Sequence, residues 1–156
     1  MNREAYLISN VKFQCVEECH KCCSGSPGII LVTEEEIETI SDFLSIEKTE
    51  FIKTYTRIIK NYYSANFGFI DRAYSLKENA ENDCIFLENG RCSIYPVRPA
   101  QCKTYPFWPS VASSHSSWKS EKAFCPGIGR GKIYTKEEIE NTLNYLKSLD
   151  YSIKNA

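Results

Sequence analysis

Eight cysteines constrain this chain more than any other feature of its sequence. They form a dense N-terminal cluster and a dispersed second set: Cys15, Cys19, Cys22, Cys23, Cys84, Cys92, Cys102 and Cys125. The first residues lack the apolar stretch of a secretory signal, so we expect a cytoplasmic protein whose thiols stay reduced unless a metal binds them. With 156 residues, the chain can also build a core without disulfides. The cysteines therefore predict metal ligation rather than a disulfide framework.

The spacing of the N-terminal cysteines is typical of a thiolate metal centre. Three residues separate Cys15 from Cys19, and two separate Cys19 from Cys22, which lets the backbone fold back and bring paired sulfurs to one ion. Eight thiolates are the ligands of two tetrathiolate zinc sites or two cubane iron–sulfur clusters. The adjacent Cys22 and Cys23 should point to opposite sides of an extended backbone and so serve different metals or a multinuclear centre. The sequence thus predicts zinc or iron in two sites or one multinuclear centre.

The rest of the sequence predicts a small α+β fold, with residues 1–156 as one domain. Apolar periodicity and capping signals predict helices at about 34–44, 48–60 and 135–150. Aliphatic and aromatic runs predict extended segments at 29–32 and 67–76.

Turn chemistry organises the remaining segments. Asn89-Gly90 predicts a β-hairpin with a type I′ turn. The prolines from Pro96 onward predict only short elements, among them one helical turn that starts at Pro99 and carries Cys102. The serine-rich segment Ser110–Ser120 is predicted to be a mobile surface loop.

Three segments carry a family resemblance: CVEECHKCC near the start, CIFLENGRCSIYPVRPAQCKTYPFWP in the middle and CPGIGRGKIYTKEEI near the end. Together they resemble the YkgJ-type cysteine-cluster family, zinc- or iron-chelating domains of the CxxCxxCC type, over residues 15–140. All eight family cysteines have a counterpart here, so the resemblance implies chelation by all eight. It implies no substrate. Three residues separate Cys15 from Cys19, where many relatives have two.

Arg98 is the non-cysteine residue most closely tied to the predicted site. It lies between two prolines and four residues before Cys102. A guanidinium beside metal-bound thiolates offsets their charge and donates hydrogen bonds, so we predict this supporting role for Arg98. His20 lies inside the cluster, but eight thiols are enough for two tetrahedral sites, and we expect it to be exposed.

An iron–sulfur oxidoreductase or a methyl-transfer-type enzyme is one alternative, and it leaves open whether the protein is an enzyme. Cys15-x3-Cys19-x2-Cys22 is the pattern by which radical S-adenosylmethionine enzymes hold a [4Fe-4S] cluster. Those enzymes need a partial βα barrel, however, and this sequence has no βα repeat.

A zinc-organised module that binds nucleic acid or protein is another alternative. Aromatic residues lie among basic residues in the C-terminal half, an arrangement that can stack bases and follow a phosphate backbone. The aromatic residues are Tyr105, Phe107, Trp108, Trp118 and Phe124. The formal net charge of −1 disfavours nucleic acid, and no particular protein partner is indicated. The sequence contains no apolar run of about 18 residues that would predict a membrane span. Metal ions are the predicted partners.

Overall fold

A computed structural model describes residues 8–16 and 29–154, which form an α+β fold. In chain order its elements are β1 (Val11–Phe13), β2 (Leu31–Val32), α1 (Glu34–Leu44), α2 (Lys48–Tyr55), β3 (Thr56–Ser64), β4 (Gly68–Leu76), β5 (Leu87–Glu88), β6 (Arg91–Cys92), a 3-10 turn (Tyr95–Val97), α3 (Ala100–Thr104), α4 (Pro109–Ala112), α5 (His115–Glu121), β7 (Lys132–Tyr134) and α6 (Lys136–Ser148).

The strands form three small antiparallel sheets. The largest has the order β2-β4-β3, with Leu31 opposite Ser75 and a long β3–β4 hairpin. β1 pairs with β7, more than a hundred residues later, so that Val11 lies opposite Tyr134. β5 and β6 form the short hairpin that was predicted from Asn89-Gly90. None of the helices in the described ranges combines the length and apolar character needed to cross a bilayer.

Local capping and turn signals produce the elements that the sequence predicted. At the start of α1, the Thr33 hydroxyl accepts a hydrogen bond from the Glu36 amide at 3.0 Å, and the Glu36 carboxylate accepts one from the Thr33 amide at 3.0 Å. Asn89 and Gly90 have φ values of 52° and 74°, the left-handed conformations that a type I′ turn requires. The predicted helices at 34–44 and 135–150 and the strand at 67–76 are confirmed.

The predicted helix at 48–60 is wrong in its second half. α2 ends at Tyr55, and the chain continues as strand β3. Ile58 and Ile59 fit an apolar helical face, but β-branched residues also favour strands, and pairing with β4 decides between the two. Ile59 lies opposite Ala73 in that pairing and is buried.

The prediction of a mobile surface loop at Ser110–Ser120 is also wrong, because this segment forms most of α4 and α5. Ser114 is an N-cap whose hydroxyl accepts a hydrogen bond from the Ser117 amide at 3.1 Å. Trp118 on α5 is 5% exposed and stacks on Phe107 with ring centroids 5.1 Å apart. Ser114 therefore caps a helix that the buried Trp118–Phe107 pair holds against the core.

Two apolar clusters of the core are in contact with cysteines. The first, which includes Cys125, consists of Ile8, Val11, Phe107, Val111, Ala112, Trp118, Cys125, Ile128, Ile139 and Leu143. The second, against which Cys84 and Cys92 pack, consists of Val32, Ile37, Ile40, Phe51, Leu76, Phe86 and Ile94. We call them the Trp118 cluster and the Phe51 cluster.

Tyr151 follows α6 and gives a test of the packing. Its side chain is 7% exposed, and its ring packs edge-on against Phe67. Its hydroxyl has no hydrogen-bond partner within the described residues, and burial raises its pKa. Tyr151→Phe should therefore leave the free energy of unfolding unchanged or raise it by up to about 1 kcal/mol in denaturant titrations, because it removes an unsatisfied buried hydroxyl.

The matched control is Tyr151→Leu, which loses the ring contact and should lower the free energy of unfolding by about 1–3 kcal/mol. A Tyr151→Phe protein as unstable as Tyr151→Leu would contradict this account of the packing.

Candidate metal centre

Three cysteines from distant parts of the chain line one cavity of about 170 Å³. Cys15 follows β1, Cys102 lies on α3, and Cys125 lies between α5 and β7. Cys125 is buried, Cys102 is half-buried and Cys15 is exposed, so the cavity runs from the Trp118 cluster to the surface. We call it the cysteine cavity. Thiolates are soft ligands that suit zinc and iron, so its donor chemistry fits either metal.

Backbone hydrogen bonds hold Cys15 beside the Cys125 segment. The Gln14 amide donates to the Gly127 carbonyl at 3.1 Å, and the Gly129 amide donates to the Lys12 carbonyl at 2.8 Å. The two backbone segments approach so closely that a Cβ added at Gly127 would lie 2.2 Å from the Gln14 carbonyl oxygen. Only glycine fits there, and this close approach places Cys15 and Cys125 on the same cavity.

A second set of hydrogen bonds holds α3, which carries Cys102. The Gln101 side chain accepts from the Leu31 amide at 3.1 Å and donates to the Ile29 carbonyl at 2.8 Å. Glu36 accepts from the Ala100 amide at 2.5 Å through the carboxylate oxygen that α1 capping does not use. These side chains attach α3 to the start of β2 and to the first turn of α1.

The residues that flank segment 17–28 on either side are thus held beside elements that carry cysteines. Residues before this segment are bonded to the Cys125 segment, and residues after it are bonded to α3. The predicted ligands Cys19, Cys22 and Cys23, together with His20, lie outside the described residues. Within residues 8–16 and 29–154, no three Cys, His, Asp or Glu side chains are grouped closely enough to hold a metal ion.

Arg98 lines the same cavity. Its Nε donates to the Tyr95 carbonyl at 3.0 Å, and its guanidinium carbon lies 3.8 Å from the centroid of the Tyr95 ring. Lys103 is a second cation on the cavity wall, and none of the described residues that line it is acidic. The wall therefore has the positive charge that would offset clustered thiolates.

Cys84 and Cys92 are not among the described residues that line the cysteine cavity. Cys84 pairs with Glu78 in an isolated β-bridge, and Cys92 on β6 lies opposite Leu87. Both side chains are half-buried and pack against the Phe51 cluster. The described cysteines thus fall into two groups, one on the cysteine cavity and one at the β5–β6 hairpin.

The aromatic residues that suggested base stacking pack largely inside the protein. Phe107 and Trp118 are buried in the Trp118 cluster, whereas Phe124 is exposed. Trp108 donates its indole N–H to the Gln101 carbonyl at 2.9 Å, and the Tyr105 hydroxyl donates to Glu121. These contacts support α3 and the cavity wall.

The sequence analysis missed the roles of Gln101 and Glu36. Glu36 was expected only in its capping box, and its contact to Ala100 crosses 64 residues. Gln101 carries no local signal at all, because its partners are backbone groups about 70 residues earlier in the chain. Only the tertiary structure reveals such long-range contacts.

Comparison with known proteins agrees with these observations. The model of the CxxCxxCC family, described as "Putative zinc- or iron-chelating domain", matches residues 14–126. The chain belongs to this family, as the resemblance in its three cysteine-bearing segments predicted. Membership supports binding of a metal ion, with zinc and iron as the ions that the family description names. No solved structure matches the chain.

Gly127→Ala tests the close approach that joins Cys15 to Cys125. The added Cβ collides with the Gln14 backbone, so the free energy of unfolding should fall by about 1–3 kcal/mol and Zn²⁺ affinity should fall with it. Gly68→Ala is the matched control, because its φ of +78° strains the backbone in open space at the β3–β4 turn. It should destabilise the protein without weakening Zn²⁺ binding. Equal Zn²⁺ affinities of the two variants, measured by chelator competition, would contradict the account.

Proposed function

We propose that this protein binds zinc or iron through eight cysteine thiolates arranged in two sites, one of them at the cysteine cavity. The observation that carries the proposal is that Cys15, Cys102 and Cys125 line one cavity, although up to 110 residues separate them in sequence. One buried, one half-buried and one exposed thiol from three distant segments line this cavity together, and a thiophilic metal is the ligand that such a set of donors suits.

The charges around the cavity support the same proposal. Ligand cysteines must be deprotonated, so a tetrathiolate site around a dication carries a formal charge of about −2. Arg98 and Lys103 on the cavity wall reduce the cost of gathering this negative charge. The carbonyl and the ring of Tyr95 contact the Arg98 side chain, and these contacts favour its position at the cavity wall.

The two groups of described cysteines suggest how the ligands divide. Three line the cysteine cavity and need one more thiolate for a tetrahedral site, whereas Cys84 and Cys92 need two. Cys19, Cys22 and Cys23 supply this number. The adjacent pair Cys22 and Cys23 would then serve different metals, since neighbouring side chains of an extended segment point to opposite sides.

A structural role for the metal follows from this arrangement. The ligands lie on segments far apart in the chain, so metal binding would close long loops, and its free energy would add to that of folding. The cytoplasm, where thiols stay reduced, is the compartment in which such a protein would work.

Elemental analysis and a visible spectrum of untagged protein purified without oxygen test the proposal. About two zinc ions per chain and no colour would support two structural zinc sites. Iron with inorganic sulfide and a brown charge-transfer band would make the sites iron–sulfur clusters and favour redox or enzymatic work. Protein without metal, in which all eight thiols react with a thiol reagent, would overturn the proposal.

Single Cys→Ser variants test how the ligands divide. Cys102→Ser and Cys125→Ser should each lose one metal equivalent and keep the other, whereas Cys84→Ser and Cys92→Ser should lose the opposite equivalent. Loss of the cavity metal should also destabilise the protein, because metal affinity contributes to folding.

The result that would refute this division is loss of all metal from every one of the four variants, which indicates one multinuclear centre. Cys23→Ser that keeps both equivalents and full stability would refute the assignment of the adjacent pair to two metals.

A further inference from the structure

We infer that Gln101 is a positioning residue for the metal centre, which holds the chain that follows the N-terminal cysteines against the helix that carries Cys102. This inference rests on the proposed function, since it concerns the same site. It assigns a role to a residue that is itself no ligand.

The Gln101 side chain makes two hydrogen bonds to one backbone segment, at Ile29 and Leu31, and we call this pair of bonds the Gln101 clamp. Its side-chain amide accepts from the Leu31 amide and donates to the Ile29 carbonyl, so both of its polar atoms are used. A glutamine amide carries the same donor and acceptor as a peptide group and can pair with a strand as another strand would. The side chain is 7% exposed, which keeps water from competing for these bonds.

The backbone of Gln101 is fixed as well. Its carbonyl accepts from the Trp108 indole at 2.9 Å, and the preceding Ala100 amide is held by Glu36. Cys102 is the next residue, so the side chain that bonds to Ile29 and Leu31 restrains the position of the Cys102 backbone relative to them. Ile29 is six residues after Cys23. The clamp thus sets the distance between Cys102 and the point at which the N-terminal cysteine segment ends.

A purely apolar packing role would not require an amide at this position. A buried amide is costly unless both its donor and its acceptor are satisfied, and leucine would fill a similar volume without that cost. The two bonds instead fix the position and direction of residues 29–31 relative to α3. Residues that hydrogen-bond directly to metal ligands typically change metal affinity 10- to 100-fold when they are mutated. Gln101 acts through the backbone beside Cys102, so we expect an effect at the lower end of that range.

The test compares Gln101→Leu with Ser75→Ala. Ser75 is the control, because its buried hydroxyl accepts from the Ile30 amide at 3.1 Å, between the two residues that Gln101 holds. It lies on β4, and its described side-chain hydrogen bonds go to Ile30 and Leu76, not to α3. Gln101→Leu removes the bonds to Ile29 and Leu31, and of the two variants it alone breaks the link to the residue beside Cys102.

The readouts are release of Zn²⁺ to a chromophoric chelator and the thiolate-to-metal charge-transfer spectrum of Co²⁺-substituted protein. Gln101→Leu should release one Zn²⁺ equivalent at least about 10-fold faster and alter the Co²⁺ spectrum, whereas Ser75→Ala should match the wild type. If Gln101→Leu does not fold, Gln101→Glu replaces it, since it keeps the acceptor for Leu31 and loses the donor to Ile29.

Wild-type rates and spectra in the Gln101 variant, or equal changes in the Ser75→Ala protein, would overturn the inference and leave the proposed function intact. A wild-type protein that binds no Zn²⁺ or Co²⁺ would instead refute the proposed function itself. The two failures are therefore distinguishable.

Discussion

Hydrogen bonds on either side of residues 17–28 are the constraint on which the rest of the site depends. Before this segment, β1 is bonded to the chain around Gly127, and after it, Gln101 holds residues 29 and 31. Both attachments connect the N-terminal part of the chain to elements that carry later cysteines. A chain fixed in this way has already lost much of the conformational entropy that bringing distant ligands together would cost.

The apolar clusters stabilise the elements that make the hydrogen bonds on either side of residues 17–28. The Trp118 cluster packs β1, α4, α5 and α6 together and includes Cys125, so the inner wall of the cysteine cavity is part of a core. The Phe51 cluster supports α1 and the β5–β6 hairpin, with Cys84 and Cys92 at its margin. Each group of cysteines thus packs with a different apolar cluster, which fixes the backbone that carries them; Cys125 is buried in its cluster, and the other described cysteines are half-buried or exposed. This separation is the structural basis for proposing two sites.

The sequence predicted what short-range chemistry determines. Thr33 and Glu36 specified the start of α1, and Asn89-Gly90 specified a hairpin through φ values that few other residue pairs adopt. It failed for residues 56–60, where Ile58 and Ile59 suit either a helix or a strand until β4 pairs with them. The number and spacing of the cysteines predicted a thiolate metal site, but that Cys15, Cys102 and Cys125 line one cavity depends on tertiary contacts. Gln101 and the second oxygen of Glu36 act across more than 60 residues and leave no local pattern.

X-ray absorption at the metal edge tests the central claim most directly, because it reports the atoms bound to the metal. On protein purified with its metal and without oxygen, we expect a shell of sulfur atoms alone, at about 2.3 Å for zinc. An iron–sulfur cluster would also give an all-sulfur shell, with an added iron–iron distance. A shell dominated by nitrogen or oxygen at about 2.0–2.2 Å would contradict the account, since it would show that the cysteines are not the ligands.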